Sequence, residues 1–194
     1  MKNLTTKKLT YVGLFAALTF VSNYLQIPFV TPFGNTRFHL GNVFCLLSGI
    51  ILGPLYGGLA AGIGPTLFDL FDPVYFTSAP ATFINKFAMA AVAGYIFNKG
   101  FDRENKTRLI LASILGQLTY IILYLGKTFI KNYYILNLTF EASMVELAQK
   151  AGVSLLNGLI SVIFASIIAI PLLKAVNFES VSYTHLTLPT ILLV

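Results

Sequence analysis

Four ionisable side chains fence one apolar, glycine-studded segment of this chain. In TRFHLGNVFCLLSGIILGPLYGGLAAGIGPTLFDLFDP, residues 36 to 73, Arg37 and His39 stand at one end and Asp69 and Asp72 at the other. Thr82, Asn85 and Lys86 follow in the next apolar run. Gln117, Tyr120, Tyr124, Lys127 and Lys131 recur at steps of three and four, and so do Ser154, Asn157 and Ser161, so each set shares one helix face. Opposite charges, amides, hydroxyls and tyrosine rings are groups that hold a polar ligand, and the tyrosines could stack a planar ring. They do not make a catalytic set. No G-x-x-x-x-G-K-[ST] phosphate loop exists, so the chain has no ATP site of its own. His39 and His185 are the two histidines, no metal-ligand spacing is present, and no Ser-His-Asp set can be assembled. Neither an enzyme, nor a metal, nor a cofactor is expected.

The elements that must position these residues lie in a membrane. Of 194 residues 56% are hydrophobic and 10% charged, with mean hydropathy +0.78, outside the range of a soluble domain. The net charge of +6 is spread between apolar runs rather than gathered with aromatics, which argues against nucleic acid. Cys45 is the single cysteine, so no intrachain disulfide forms.

The uncharged stretches place the spans. Between Lys8 and Arg37 lie 28 uncharged residues, predicting helix one with Pro28 and Pro32 closing it. The 31 residues from 38 to 68 carry no formal charge. As one straight helix they would reach about 46 Å, against a hydrocarbon core of roughly 30 Å. Gly53-Pro54 is therefore the expected reversal, with helix two over 38–53 and helix three over 55–71. Helix four runs from Pro80 to Asn98, helix five over 109–130 and helix six over 151–173. Residues 131–150 are expected as an interfacial loop or short amphipathic helix. The fold class is an all-α integral membrane protein, a six-transmembrane-helix bundle forming one domain over residues 1–179.

Lysine and arginine set the orientation. With the N-terminus inside, eight of them fall on the cytoplasmic side and four outside, leaving out Lys86 within a span. Both termini are thus expected inside. The open end of the hairpin made by helices two and three then brings Arg37 and His39 level with Asp69 and Asp72 on the outside. Thr82, Asn85, Lys86 and the polar faces of helices five and six reach the same depth. A charge such as Lys86 inside a bilayer costs about 2.5 to 3.5 kcal/mol and faces a partner or a cavity. Two readings stand: a structural one, in which Lys86 bridges to Asp69 or Asp72 or snorkels outward from its shallow depth, and an outward-open pocket for a polar ligand. Gly58 and Gly62, four apart, suit close helix packing, and Gly13 and Ala17 repeat that spacing on helix one.

The stretch HLGNVFCLLSGIILGPLYGGLAAGIGPTLFDLFDP, followed by APATFINKFAMAAVAG, resembles the substrate-binding S components of energy-coupling factor (ECF) vitamin transporters, most closely the riboflavin-type branch. His39-Leu40-Gly41-Asn42, Gly53-Pro54, Asp69 and Thr82 to Lys86 carry the resemblance. It implies an outward-facing site for a water-soluble vitamin or precursor, a riboflavin-like ring compound foremost, formed by Arg37, His39, Asn42, Asp69, Asp72, Thr82, Asn85, Lys86, Gln117, Tyr120, Tyr124 and Asn157. It also implies a prokaryotic plasma-membrane location and docking through helix one, at Gly13, Ala16 and Ala17, onto a membrane scaffold subunit with two ATPase subunits. The family carries an Ala-x-x-x-Ala pair there, for which this chain has Gly13 and Ala17. A self-sufficient secondary carrier or channel, and a small membrane enzyme, are the alternatives. Residues 180–194, SVSYTHLTLPTILLV, have strand-like composition and look like translated sequencing-adapter read-through, a tail foreign to the domain.

Overall fold

The computed structural model describes residues 6–31, 34–99 and 105–175; the 180–194 tail lies outside the described residues. Helix α1 (Thr6–Ser22) leads into an antiparallel hairpin of β1 (Gln26–Thr31) and β2 (Gly34–His39), followed by α2 (Gly41–Phe71), a 3-10 turn at Phe76–Ser78 and α3 (Ala79–Asn98). Then come α4 (Lys106–Ile130), a π-helical turn at Lys131–Ile135 and α5 (Phe140–Ala175). Three of these helical stretches are long and apolar enough to cross a membrane: Gly41–Phe71, Lys106–Ile135 and Phe140–Lys174; the apolar part of α1, Lys8–Ser22, is shorter.

The expected reversal in residues 38–71 is present. Gly53 has φ 84° and ψ 179° within α2, a region essentially restricted to glycine, and Pro54 removes the next backbone donor. The two arms of α2 then run back along each other. Ser48 Oγ donates to the Gly57 carbonyl at 3.0 Å, and Cys45 Sγ lies 3.9 Å from the Ala61 carbonyl. In one straight helix, residues 45 and 61 would be about 24 Å apart. Gly57 is what permits this closeness, since a Cβ there would overlap the Ser48 carbonyl. Gly58 and Gly62 are covered by the rings of Phe87 and Phe83 on α3, which stack 6.0 Å apart.

Three boundaries differ from the sequence expectation. Helix one ends at Ser22, not at Pro28, and residues 26–39 form the hairpin, whose register pairs Gln26 with His39 and Pro28 with Arg37. Helix two therefore begins at Gly41 rather than 38. Residues 131–150 are not a separate loop or helix: the π turn extends α4, and α5 starts at Phe140. Five α-helices are present among the described residues, the second broken at Gly53.

The interior is divided along its length. Leu46, Leu47, Ile50, Met89, Ala90, Ala93, Phe97, Leu109, Ala112, Ala165 and Ala169 pack a dry core toward the Gly53 end. At the hairpin end the buried side chains are polar: His39, Asn42, Asp69, Asn85, Lys86, Gln117 and Asn157. The outer surface is greasy, with Ile122, Leu159 and Ile167 exposed by 68%, 61% and 65%, as lipid contact requires.

Candidate functional site

The hairpin brings Arg37 across to the end of α2. Its Nη2 donates to Asp69 Oδ1 at 2.5 Å, and its Nη1 lies 3.8 Å from Asp72 Oδ2. The guanidinium lies over two rings, 4.0 Å from the Tyr75 centroid and 5.2 Å from that of Phe68. The other carboxylate oxygen of Asp69 accepts from Thr82 Oγ1 at 2.6 Å, tying α3 to the same acid. On the opposite side, Asn157 of α5 clasps the hairpin by its backbone. Its Nδ2 donates to the Arg37 carbonyl at 2.9 Å, and its Oδ1 accepts from the His39 amide at 3.3 Å. Strand β2 is thus held by α2 through a side chain and by α5 through its main chain.

Lys86 makes neither of the acid pairings considered for it, because Asp69 and Asp72 are engaged by Arg37. Its Nζ donates to Asn42 Oδ1 and lies 4.1 Å from the centroid of Tyr120. Among the described residues no carboxylate is within salt-bridge distance of Lys86, although it is only 3% exposed. Asn42 Nδ2 in turn donates to Gln117 Oε1 at 3.4 Å. The charge is therefore solvated by an amide and a ring face.

These groups enclose a hollow lined by Arg37, His39, Asp69, Thr82, Asn85, Lys86, Tyr120, Tyr124 and Asn157, with about 80 Å³ open to a water-sized sphere. The rings of Tyr120 and Tyr124 form one wall, parallel within 7° and 5.7 Å apart. Asn42 and Gln117 do not line it; they lie beneath Lys86 as its support. Asp72 lies behind Arg37, lining an adjoining crevice with Gln26, Pro28 and Val74, and its carboxylate accepts from the Val74 amide at 3.0 Å.

Seven further residues line the hollow: Asn35, Thr36, Tyr75, Ser78, Lys127, Lys150 and Ser154. The helix-face periodicity that marks Tyr124 and Asn157 also marks Lys127 and Ser154, and Lys150 stands one turn before Ser154. Asn35, Thr36, Tyr75 and Ser78 carry no such signal, since they sit in the hairpin and in the α2–α3 connection.

Electrostatics favour a neutral imidazole. Burial pushes the His39 pKa well below its ordinary value, with Lys86 and then Arg37 adding to the shift. Consistently, His39 Nδ1 accepts from the Gly41 amide at 3.2 Å. Burial raises the Tyr75 hydroxyl, opposed in part by Arg37. The assembly presents charge, donors and ring faces in a fixed frame. Among the described residues no group of three or more His, Cys, Asp or Glu side chains could hold a metal.

The small residues of α1 divide between two faces. Gly13 and Ala17 are exposed, and a Cβ at Gly13 would meet nothing within 4 Å. Ala16 is partly buried, and its carbonyl faces Gly64 of α2.

Comparison with known proteins agrees with this architecture. The chain matches the family model "ECF-type riboflavin transporter, S component" over residues 3–177. A protein of Pyrococcus woesei described as an uncharacterized protein in the gap 3' region is 28% identical over 114 residues, 59% of this chain and 72% of that one. The solved structure of the S component of a bacterial ECF transporter superposes with TM-score 0.65 at 19% identity, covering 89% of this chain and 98% of the other, so the fold is shared. The chain accordingly belongs to the S-component family of ECF-type riboflavin transporters, and is a substrate-binding component of a membrane transporter rather than an enzyme.

Proposed function

We propose that the hollow at the hairpin end is the substrate site and that its ligand is riboflavin or a closely related ring compound. One observation carries this reading. In a chain that is 10% charged, the hairpin, the C-terminal end of α2, and α3, α4 and α5 all turn polar side chains toward one space. Burying such groups without ligand or partner is costly. In this reading Lys86, Asn85 and Asn157 supply directional polar contacts, and Tyr120 and Tyr124 the ring faces.

The space is small for such a ligand, because sites for drug-sized molecules run to roughly 300 Å³ or more. Ligand entry accordingly requires the β1–β2 hairpin to lift from α5, breaking the two Asn157 contacts to its backbone while Arg37 stays bound to Asp69. With the two arms of α2 counted separately, and with α1 and α3 also spanning, the chain crosses the membrane six times. Both termini are then cytoplasmic and the hollow faces outward, which the eight-to-four distribution of basic residues supports. The exposed face of α1 around Gly13 and Ala17 then docks on a scaffold subunit carrying two ATPases in a prokaryotic plasma membrane.

Riboflavin binding to the purified protein in nanodiscs, followed by quenching of flavin fluorescence, tests the assignment. One-to-one binding is expected, with a rise in thermal unfolding temperature, since ligand at 100 times its dissociation constant adds about 2.7 kcal/mol. Absence of both effects, or loss of neither on Asn157→Ala, would refute it.

A further inference from the structure

The first turn of α4 carries charge of the wrong sign. A helix begins at the positive end of its dipole, which favours acids there and bases at the far end; α5 obeys this, with Glu141 in its first turn and Lys174 in its last. Helix α4 has no acid in its first turn and places Lys106 and Arg108 there instead. Among the described residues no carboxylate is within salt-bridge distance of either. The run 99–108 stays net positive, with four basic residues against Asp102 and Glu104, two acids that lie outside the described residues.

Arg108 is also short of an acceptor. Its amide donates to Asn105 Oδ1 at 3.0 Å, but Nη1 of its guanidinium is shut off from water and has no hydrogen-bond partner. A buried donor without an acceptor is costly, the more so when charged. The side chain as a whole is partly exposed, so an acceptor at the surface that draws the fork outward relieves that cost. Beyond Arg108 the helix turns an apolar stripe outward. Leu111, Leu115, Leu118 and Ile122 follow it at steps of three and four on one face, exposed by 49%, 37%, 43% and 68%. From 108 to 122 the stripe spans about 21 Å, longer than the roughly 15 Å of hydrocarbon in one leaflet. A guanidinium at the head of such a stripe stands where a phospholipid carries its phosphate. It is about 18 Å along α4 from Tyr120, away from the hollow and at the end where Leu109 and Ala112 join the dry core.

We propose that Lys106 and Arg108 bind the headgroup of an anionic phospholipid whose acyl chains lie along the 111–122 stripe. The guanidinium offers a phosphate two parallel donors, Lys106 adds a point charge, and the lipid's net negative charge answers the positive end of the helix. A zwitterionic lipid of the same chains has the phosphate but not the net charge, so it is bound less well. The bound lipid is a ligand distinct from whatever fills the hollow, and it anchors the start of α4 at the membrane boundary.

Phosphatidylglycerol and phosphatidylcholine with identical acyl chains are the probes. The full chain, stripped of lipid in nonionic detergent, is given equal amounts of both, and native mass spectrometry reads which one stays bound. A preference of roughly tenfold for one phosphatidylglycerol per chain is expected, with a matching rise in thermal unfolding temperature in nanodiscs that contain it. Joint replacement, Arg108→Gln with Lys106→Gln, is expected to abolish the preference and the rise. Lys8→Gln with Lys99→Gln removes the same charge outside the proposed site and is expected to keep both. Unfolding of each variant in pure phosphatidylcholine nanodiscs checks the fold; should the first pair not fold, Lys106→Gln alone carries the test, with the preference falling about threefold. Equal retention of the two lipids by the unaltered protein overturns the proposal, as does a preference that survives the first pair or is lost equally with the second. A rise of the same size with inorganic phosphate in phosphatidylcholine nanodiscs overturns the lipid as the source of the anion.

Discussion

Replacing Lys86 by methionine separates a binding role from a structural one, because the two predict opposite balances. The side chain is 3% exposed and lacks a carboxylate within salt-bridge distance among the described residues. Relieving a buried charge in a membrane span returns about 2.5 to 3.5 kcal/mol. Against this stand the donor bond to Asn42 Oδ1, of a kind worth about 1.5 to 3 kcal/mol, and the contact with the Tyr120 ring at 4.1 Å, worth about 0.5 to 2 kcal/mol. These nearly cancel, so Lys86→Met should change the stability of the ligand-free protein by no more than about 1 to 2 kcal/mol. Ligand binding has no such compensation. Loss of one charge-assisted contact of about 1.5 to 3 kcal/mol weakens affinity roughly 10- to 150-fold. Thermal or denaturant unfolding without ligand and flavin fluorescence titration measure the two quantities on one preparation. A large loss of stability with affinity unchanged would show that Lys86 serves the fold and would refute the assignment.

Other substitutions probe the frame around the hollow. Asp69→Asn leaves Arg37 with Asp72 alone at 3.8 Å, and should cost about 2 to 4 kcal/mol with faster amide exchange across residues 26–39, read by hydrogen-exchange mass spectrometry. Gly53→Ala forces a side chain into φ 84° and should destabilise by about 1 to 3 kcal/mol in an unfolding titration. For His39, whose folded pKa lies below its unfolded value, the unfolded chain binds the proton first as pH falls. Stability should therefore be constant above about pH 6.5 and decline below it. His39→Asn, which can still accept from the Gly41 amide, should flatten that decline in thermal melts recorded from pH 7.5 to 5.

Hydropathy and the spacing of charges were enough to recognise a membrane chain and the reversal at Gly53-Pro54. They also placed helices over residues 80–98, 109–130 and 151–173, which fall within α3, α4 and α5, and they marked a polar end holding Arg37, Asp69, Lys86, Tyr120, Tyr124 and Asn157. These properties depend on transfer free energy and on local backbone preference, which each segment carries by itself. The β1–β2 hairpin was not legible, because its ladder is completed by β2 docking on Asn157, 118 residues after His39. Nor was the pairing of charges. Arg37 and Lys86 compete for Asp69, and only the path of the hairpin decides that the guanidinium reaches it while the ammonium is left to Asn42 and Tyr120. Lys150 joined the site because α5 begins at Phe140, eleven residues before its uncharged run, which starts at Ala151. Which polar group meets which is a matter of distance between separate elements, and that is settled by packing rather than by the order of residues along the chain.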